Sequence, residues 1–329
     1  MQKGLVKSLL GSGNAADAVP SALSAEGAGR RRLGIDVGGS SIKWVVLSDA
    51  GIAAHGAVPT PTGEREAVLD AVIEIAGRQE IVSAGLAVPA VIDPSGTASW
   101  VAPNLPGDWH GQPLVRPLTQ ALGIPVTLCN DARAFALAEW RLGAAQGVRN
   151  MVALTLGTGV GGAIIADGRL IRGSAARAGE LGHIPVEPEG ARCGCGAVGC
   201  LETIAGAVGI TRQARAAIAR GERTDLALDD LSAQLVVDAA RAGDRVATAI
   251  MDRVGAALAG VLAMIATALA SEIVVVGGGL SAALDLLEPQ ITHRLAERAH
   301  LTGACPVVVS SLGLHAGAVG AALWKKEES

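Results

Sequence analysis

The residues most able to do chemistry begin with a cysteine cluster. C-G-C-G-A-V-G-C, residues 193–200, spaces Cys193, Cys195 and Cys200 as C-x-C-x4-C, and His183 stands ten residues before the first of them. Three thiolates and one imidazole make a tetrahedral zinc set, and with no ligand position left for water the metal is structural. Cysteines this close among glycines have few other uses. Cys129 and Cys305 lie in apolar segments and read as core residues. Around the cluster stand E-L-G-H (Glu180 to His183) and C-L-E (Cys200 to Glu202). A zinc ion closing this loop brings Glu180, His183 and Glu202 together. Carboxylates accept from vicinal hydroxyls, and the imidazole nitrogen not on the metal can bond a third, which suits a sugar. Taken singly, each acid reads as a surface charge, and Glu202 as a first-turn helix residue.

A second set has the chemistry of phosphate. Backbone N–H groups must approach an anion closely, and glycine permits it. Three loops qualify: Gly38-Gly39-Ser40, Gly157-Thr158-Gly159 and Gly277-Gly278-Gly279. The last lies between an expected strand and an expected helix, whose N-terminus also favours an anion. Each loop taken alone is also an ordinary tight turn. Asp36, at a strand end before the first loop, can hold Mg2+ beside a polyphosphate or simply cap its turn. Lys43 lies one strand away, as a phosphate ligand or a solvated strand lysine. Cys129-Asn130-Asp131 ends a strand and opens a helix. Asn and Asp are favoured helix caps there. The same Asp131 can accept a hydroxyl proton in phosphoryl transfer, where the carboxylate mostly orients the attacking oxygen, and Asn130 can bind a neighbouring hydroxyl.

The elements that must position these residues read as two α/β halves. L-G-I-D, I-K-W-V-V-L-S and I-A-A-H-G-A-V are three short strands. Residues 64–78 form a helix with Val68, Val72, Ile75 and Ala76 on one face and Thr62 as its cap. A buried strand covers 81–88, a loop with one short strand 90–112, a helix 114–122, a strand 125–129 and a helix 131–142. M-V-A-L-T-L and G-A-I-I-A then flank a glycine turn, and Asp167-Gly168 turns the chain back. Helices dominate 203–270. S-E-I-V-V-V is a buried strand, and a helix from about 281, a strand at 306–309 and a helix at 315–324 follow. L-G-I-D-V-G-G-S-S-I-K and L-T-L-G-T-G-V-G-G-A-I-I repeat one unit of strand, glycine turn and strand. Two such units predict a duplicated architecture with a cleft between lobes.

Several function classes are excluded by motif and composition. No G-x-x-x-x-G-K-[ST] occurs, so this is not a P-loop. Gly157, Gly159 and Gly162 fit G-x-G-x-x-G, yet a hairpin follows where a dinucleotide fold needs a helix. With one Phe, five Trp and no Tyr among 329 residues, platforms for stacking single-stranded nucleic acid are lacking. The net charge of −4, both signs interspersed, offers no basic face to DNA or an anionic membrane. The apolar run 254–270 reads as a buried helix. Residues 1–32, rich in Ala, Gly and Ser, read as a disordered tail, too short and irregular for a helix-turn-helix. The cysteine pattern and the lack of an apolar leader place the protein in the cytoplasm.

From Leu33 to the C-terminus the chain resembles the ROK family (repressors, open reading frames and sugar kinases). D-V-G-G-S-S-I-K resembles its first phosphate motif and C-N-D-A-R-A its catalytic segment. L-G-T-G-V-G-G-A-I-I-A-D-G-R-L-I-R-G resembles its second phosphate segment, and E-L-G-H with C-G-C-G-A-V-G-C-L-E its sugar and zinc signature. The resemblance implies the sugar-kinase/actin-like (ribonuclease H-like) two-lobe α/β fold. It implies a small lobe over 33–129, with the helix from 315 packing back on it, and a large lobe over 130–314 carrying the zinc loop 183–202. It implies an ATP-dependent kinase using Mg2+, most simply on the 6-hydroxyl of glucose. Amino sugars, cyclitols and a non-catalytic sugar-sensing role are the alternatives. Asp131 becomes the general base, and Asn104, Asn130, Glu180, His183 and Glu202 the sugar ligands. Asp36, Gly38, Gly39, Ser40, Lys43, Gly157, Thr158, Gly159, Gly277, Gly278 and Gly279 face the nucleotide; His183, Cys193, Cys195 and Cys200 hold zinc. Homodimers are common in the family. Where many members have Pro-Gly, in a loop that lies near the sugar in the family, this chain has Pro89-Ala90, a departure that points to an acceptor other than plain glucose.

Overall fold

The structure, a computed structural model, describes residues 30–101, 105 and 107–325. Eight strands precede residue 131: β1 (Arg32–Val37), β2 (Ser41–Ser48), β3 (Gly51–Pro59), β4 (Ser83–Val88), β5 (Val91–Ile92), β6 (Ala98–Val101), β7 (Gln112–Pro113) and β8 (Val126–Asn130). Five follow: β9 (Met151–Leu156), β10 (Val160–Ala166), β11 (Arg169–Leu170), β12 (Ile273–Gly277) and β13 (Val307–Val309). The helices are α1 (Arg65–Gly77), α2 (Val115–Leu122), α3 (Asp131–Leu142), α4 (Glu202–Ala205), α5 (Ala207–Ala219), α6 (Ala233–Arg241), α7 (Arg245–Leu269), α8 (Leu284–Ala296), α9 (Ala299–Thr302) and α10 (Ala316–Leu323).

Two five-stranded sheets repeat one topology, β3-β2-β1-β4-β8 and β11-β10-β9-β12-β13. In each, the first strand of the repeated unit pairs antiparallel with its successor across a glycine turn and parallel with the next strand inward. The internal repeat read in the sequence is therefore a repeat of register. Segment 90–112 differs from expectation: β5, β6 and β7 form a small antiparallel sheet. Asp93 organises it by accepting from the N–H groups of Ser95, Thr97 and Ala98. Strands of two residues are too short for a period-2 pattern to register. Thr62 is not the cap of α1; Glu64 holds that position without a side-chain bond.

Alternation along the strands builds layers. Val68, Val72 and Ile75 of α1 and Leu118 of α2 join Leu33, Ile35, Leu86 and Leu128 on the outer face of the first sheet. On the second sheet Val152 and Leu154 face α5–α8, whereas Met151 and Ala153 face α3 and α10. The inner helices α3 and α10 thus lie between the sheets, in one core with Val45 and Leu47 of β2. Helix α7 is long and apolar enough to cross a membrane by length and composition alone. Its Val254, Leu258, Val261 and Leu262 are buried against β9 and the neighbouring helices.

Helix α10, A-G-A-V-G-A-A-L, packs without side chains in between. A Cβ at Gly34 of β1 would lie 1.8 Å from the Ala318 carbonyl oxygen, and one at Gly85 of β4 would lie 1.9 Å from that of Ala321. A Cβ at Gly320 would lie 1.7 Å from the Ala134 oxygen of α3. No rotamer change relieves a clash with backbone. Gly320→Ala is expected to destabilise the protein by at least ~1–3 kcal/mol through overpacking. Gly260→Ala on α7, where a Cβ meets nothing within 4 Å, is expected to stabilise it by roughly 0.5–1 kcal/mol. Paired denaturant titrations of the two variants measure the contrast.

Candidate active site and metal centre

Asp131 opens α3 directly from the end of β8. One of its oxygens accepts from the Ala132 N–H at 2.8 Å and from Asn130 Nδ2 at 3.1 Å. The other accepts nothing among the described residues. Asn130 is the cap of α3: its Oδ1 accepts from the Arg133 N–H at 3.1 Å, and its Nδ2 also donates to the Ala90 carbonyl at 3.2 Å. Both amide hydrogens are therefore spent inside the protein, and one acceptor lone pair is left for a ligand.

Asp36 is the penultimate residue of β1, in register with Lys43 of β2. Its carboxylate lies against the start of α10, where a Cβ at Gly317 would stand 2.5 Å from Oδ2. Burial, then the Asp131 carboxylate, pushes its pKa from 3.8 up to about 7, while Lys43 pulls it down. Asp131 is raised to about 6, first by burial, and Glu180 adds to the rise. Glu180 is itself raised by burial, with Arg133 and His183 opposing and Glu202 reinforcing. Asp36, Asp131, Glu180 and Glu202 thus form one electrostatic chain from the first glycine turn to the cysteine loop.

Arg133 was not anticipated. It is 5% exposed and donates through Nη2 to the carbonyls of Ala176 and Ala178 at 2.6 and 2.9 Å. It holds the loop leading to Glu180, in which Ala175 and Ala176 take left-handed backbone. Within A-R-A-F-A-L-A an arginine reads as a helix-surface charge, so only the fold exposes the role.

The metal set is assembled. The donor atoms of His183, Cys193, Cys195 and Cys200 all lie within 4.8 Å of one another. Cys195 and Cys200 are 3.7 Å apart, and Cys193 is 3.5 Å from His183 Nδ1. Ligands at zinc distances on a tetrahedron are separated by about 3.8 Å for two sulfurs, slightly less for sulfur and nitrogen, so the residues fit the ion. Burial pushes the Cys193 thiol up to about 12, a penalty a bound dication reverses. Glu202 ties this loop to the second glycine turn. Its Oε2 accepts from the Val160 N–H at 3.0 Å, while Cys193 Sγ reaches Oε1 at 3.5 Å. A Cβ at Gly159 would lie 2.0 Å from that same Oε2.

The glycine turns adopt distinct forms. In the first, the Gly38 N–H donates to the Ser41 carbonyl, and Gly39 and Ser40 are exposed. In the second, the Gly157 N–H donates to the Gly159 carbonyl, and Thr158 is exposed. In the third, Gly277 is buried at the end of β12, where a Cβ would strike Phe135. Gly278 takes φ +89° and Gly279 is exposed. One 3-10 turn (Ser281–Ala283) intervenes before α8. Asn104 lies outside the described residues. A surface groove of about 230 Å³ between α5 and α7 contains none of these groups. The site is therefore marked by its chemistry rather than by that groove.

Residues 32–328 match the sequence profile of the ROK family. The chain belongs to the ROK family. It is 36% identical over 321 residues to a glucokinase of Halalkalibacterium halodurans, covering 90% of this chain and 95% of that protein. To a glucokinase of Thermotoga maritima it is 34% identical over 308 residues, with 90% and 97% covered. The crystal structure of a ROK family glucokinase from Streptomyces griseus, in complex with glucose and AMPPNP, superposes with a TM-score of 0.76. That pair shares 32% identity, with 90% of this chain and 99% of that chain covered. The sugar-kinase/actin-like two-lobe fold expected from the motifs is the fold of this ROK protein.

The raised carboxyls have a consequence for stability. A group whose folded pKa exceeds its unfolded one keeps extra protons in the folded state. Its contribution is favourable below the unfolded value and is lost as pH rises through the folded value, here from about 4 to about 7 for Asp36. Asp36→Asn is expected to raise the melting temperature of the ligand-free protein at pH 8 and to leave it nearly unchanged at pH 4. Calorimetry at both pH values tests this; equal melting temperatures at pH 8 contradict the burial of charge.

Proposed function

We propose that this ROK protein transfers the γ-phosphoryl of ATP to the 6-hydroxyl of a hexose, with glucose the preferred acceptor. The observation that carries the reading is the line of half-buried carboxylates from Asp36 through Asp131 and Glu180 to Glu202. It links a glycine turn suited to phosphates with a loop of three cysteines and one histidine. The similarity to glucokinases over nine-tenths of the chain supports the same chemistry.

In this reading the sugar lies against Glu180, His183 and Glu202, with the remaining acceptor of Asn130 and with Asn104. Its 6-hydroxyl donates to the Asp131 oxygen that accepts no protein N–H. With a pKa of about 6, Asp131 is largely ionised at neutral pH. It is basic enough to orient the hydroxyl and take its proton as the bond to phosphorus forms. The turns at Gly38-Gly39-Ser40, Gly157-Thr158-Gly159 and Gly277-Gly278-Gly279 offer N–H groups to the phosphates, with Lys43 beside them. Asp36 is the residue that would hold Mg2+, directly or through water; a bound ion neutralises charge on the polyphosphate. His183, Cys193, Cys195 and Cys200 would hold a structural zinc that keeps Glu202 and His183 facing the sugar. The lobes are read as 33–129 and 130–314, and the enzyme as a cytoplasmic homodimer or higher oligomer without nucleic-acid or membrane partners.

Ala90, the departure at the sugar loop, is 4% exposed and packs in the small-lobe core with Ile92. Its methyl group is taken up by that core, so the Pro89-Ala90 pair presents no obstacle to glucose as the acceptor. Retention of Asp36, Asp131 and Glu180 together favours catalysis over sugar sensing.

ADP release across a panel of hexoses, amino sugars and cyclitols tests the acceptor; no release with any sugar that binds would establish the sensing role instead. Asp131→Asn is expected to retain sugar binding by calorimetry and to lose at least about 10²-fold in kcat, as for removal of a general base. Metal analysis is expected to find one zinc per chain. Its removal by chelation is expected to weaken sugar binding at least about tenfold while nucleotide binding persists, the behaviour of a loop ordered by its metal. Undiminished sugar affinity in the metal-free protein would separate the cysteine loop from the site.

A further inference from the structure

Glu139 is 0% exposed, and no cationic side chain among the described residues pairs with it. A buried carboxylate survives only when hydrogen bonds replace its water. Here there are five. Oε2 accepts from the Ala144 N–H at 2.8 Å and from the N–H and hydroxyl of Ser311, each at 3.3 Å. Oε1 accepts from the Leu312 N–H at 3.0 Å and from the Ser310 hydroxyl. Space for the carboxylate depends on Gly143, where a Cβ would lie 2.2 Å from Oε2.

The donors belong to segments that matter. Ser310 follows β13, and its N–H bonds the Val276 carbonyl of β12 at 2.8 Å, immediately before the third glycine turn. Residues 310–312 lead into α10, whose start carries Gly317 against Asp36. Glu139 itself stands two helical turns after Asp131, with Phe135 between them on Gly277. One carboxylate therefore joins the helix that bears Asp131, the strand end that bears the third phosphate turn, and the entry to the helix that backs Asp36.

We infer that Glu139 is a positioning residue: it sets α3 against the 310–312 turn, and through α10 it fixes Asp131 relative to Asp36. The inference rests on the kinase reading for its kinetic consequence but not for its structural one. All five partners of the Glu139 carboxylate are donors, and its two oxygens accept from them. An amide in its place turns an NH2 toward N–H groups, and an unmatched buried donor is costly.

Glu139→Gln is expected to lower kcat by about 10- to 100-fold, the scale on which small misplacements of reacting groups act. The dissociation constants for glucose and ATP are expected to stay within about threefold, because the groups that touch ligand are intact. A merely destabilised protein loses binding and turnover together. Placed in Asp131→Asn, Glu139→Gln is expected to lower kcat by less than about twofold more, since both changes strike one function. Amide exchange at residues 312–318 is expected to quicken about tenfold, reporting a loosened entry to α10. Wild-type kcat with wild-type exchange overturns the inference, and so does a full multiplicative loss in the double variant. If Glu139→Gln does not fold, Ser310→Ala removes one donor alone; an unchanged kcat and exchange in that variant overturns the inference. If the wild-type protein makes no ADP with any sugar, the kinase reading fails, and the exchange measurement alone decides the role of Glu139.

Discussion

Backbone packed on backbone is the constraint on which the rest of this molecule depends. Helix α10 lies on β1 and β4 and crosses α3 at positions where carbonyl oxygens occupy the space of absent Cβ atoms, at Gly34, Gly85 and Gly320. Contact of this kind has one geometry. Side chains adjust through rotamers, whereas two main chains at such a distance must move as bodies or not at all. Because α3 and α10 lie between the two sheets, their crossing settles where the end of β1 and the start of α3 stand. Asp36 and Asp131 inherit their places from it.

Those places are electrostatically uncomfortable without ligands. Asp36, Asp131 and Glu180 all have raised pKa values, with burial as the first cause and neighbouring acids adding to it. Such a row of acids costs stability in the empty protein and is relieved by groups that bring protons or positive charge, as donor hydroxyls and a cation do. Glu202 carries the arrangement into the cysteine loop. Its carboxylate meets the Val160 N–H beside the second glycine turn and the Cys193 sulfur. The loop that fits a metal and the turn suited to phosphate are therefore braced by one side chain.

Much of this was readable beforehand, for stateable reasons. The strand–glycine–strand repeat announced two equivalent sheets because hairpins with a buried face leave alternating apolar residues and a turn. The C-x-C-x4-C spacing announced a converging donor set that could hold a metal, because few other needs place thiols so near each other. Asp131 was legible as a carboxylate at a strand-to-helix junction. Less legible was Asn130, whose amide hydrogens serve Ala90 and Asp131 rather than remaining available. The 90–112 segment hid a small sheet, since its strands are too short to show a period.

What the chain determined by itself was the local part: which stretches pair as strands, where they turn, and which residues have the types and spacing suited to metal, phosphate and proton chemistry. These follow from contacts between near neighbours and from periodicity, both written along one dimension. Only the tertiary structure decided that Arg133 and Glu139, two charges on one alanine-rich helix, are buried. Arg133 reaches carbonyls more than 40 residues away and Glu139 reaches donors more than 170 away. Partners at that separation leave no pattern in the neighbouring sequence, because what makes a buried charge tolerable is assembled by the fold around it.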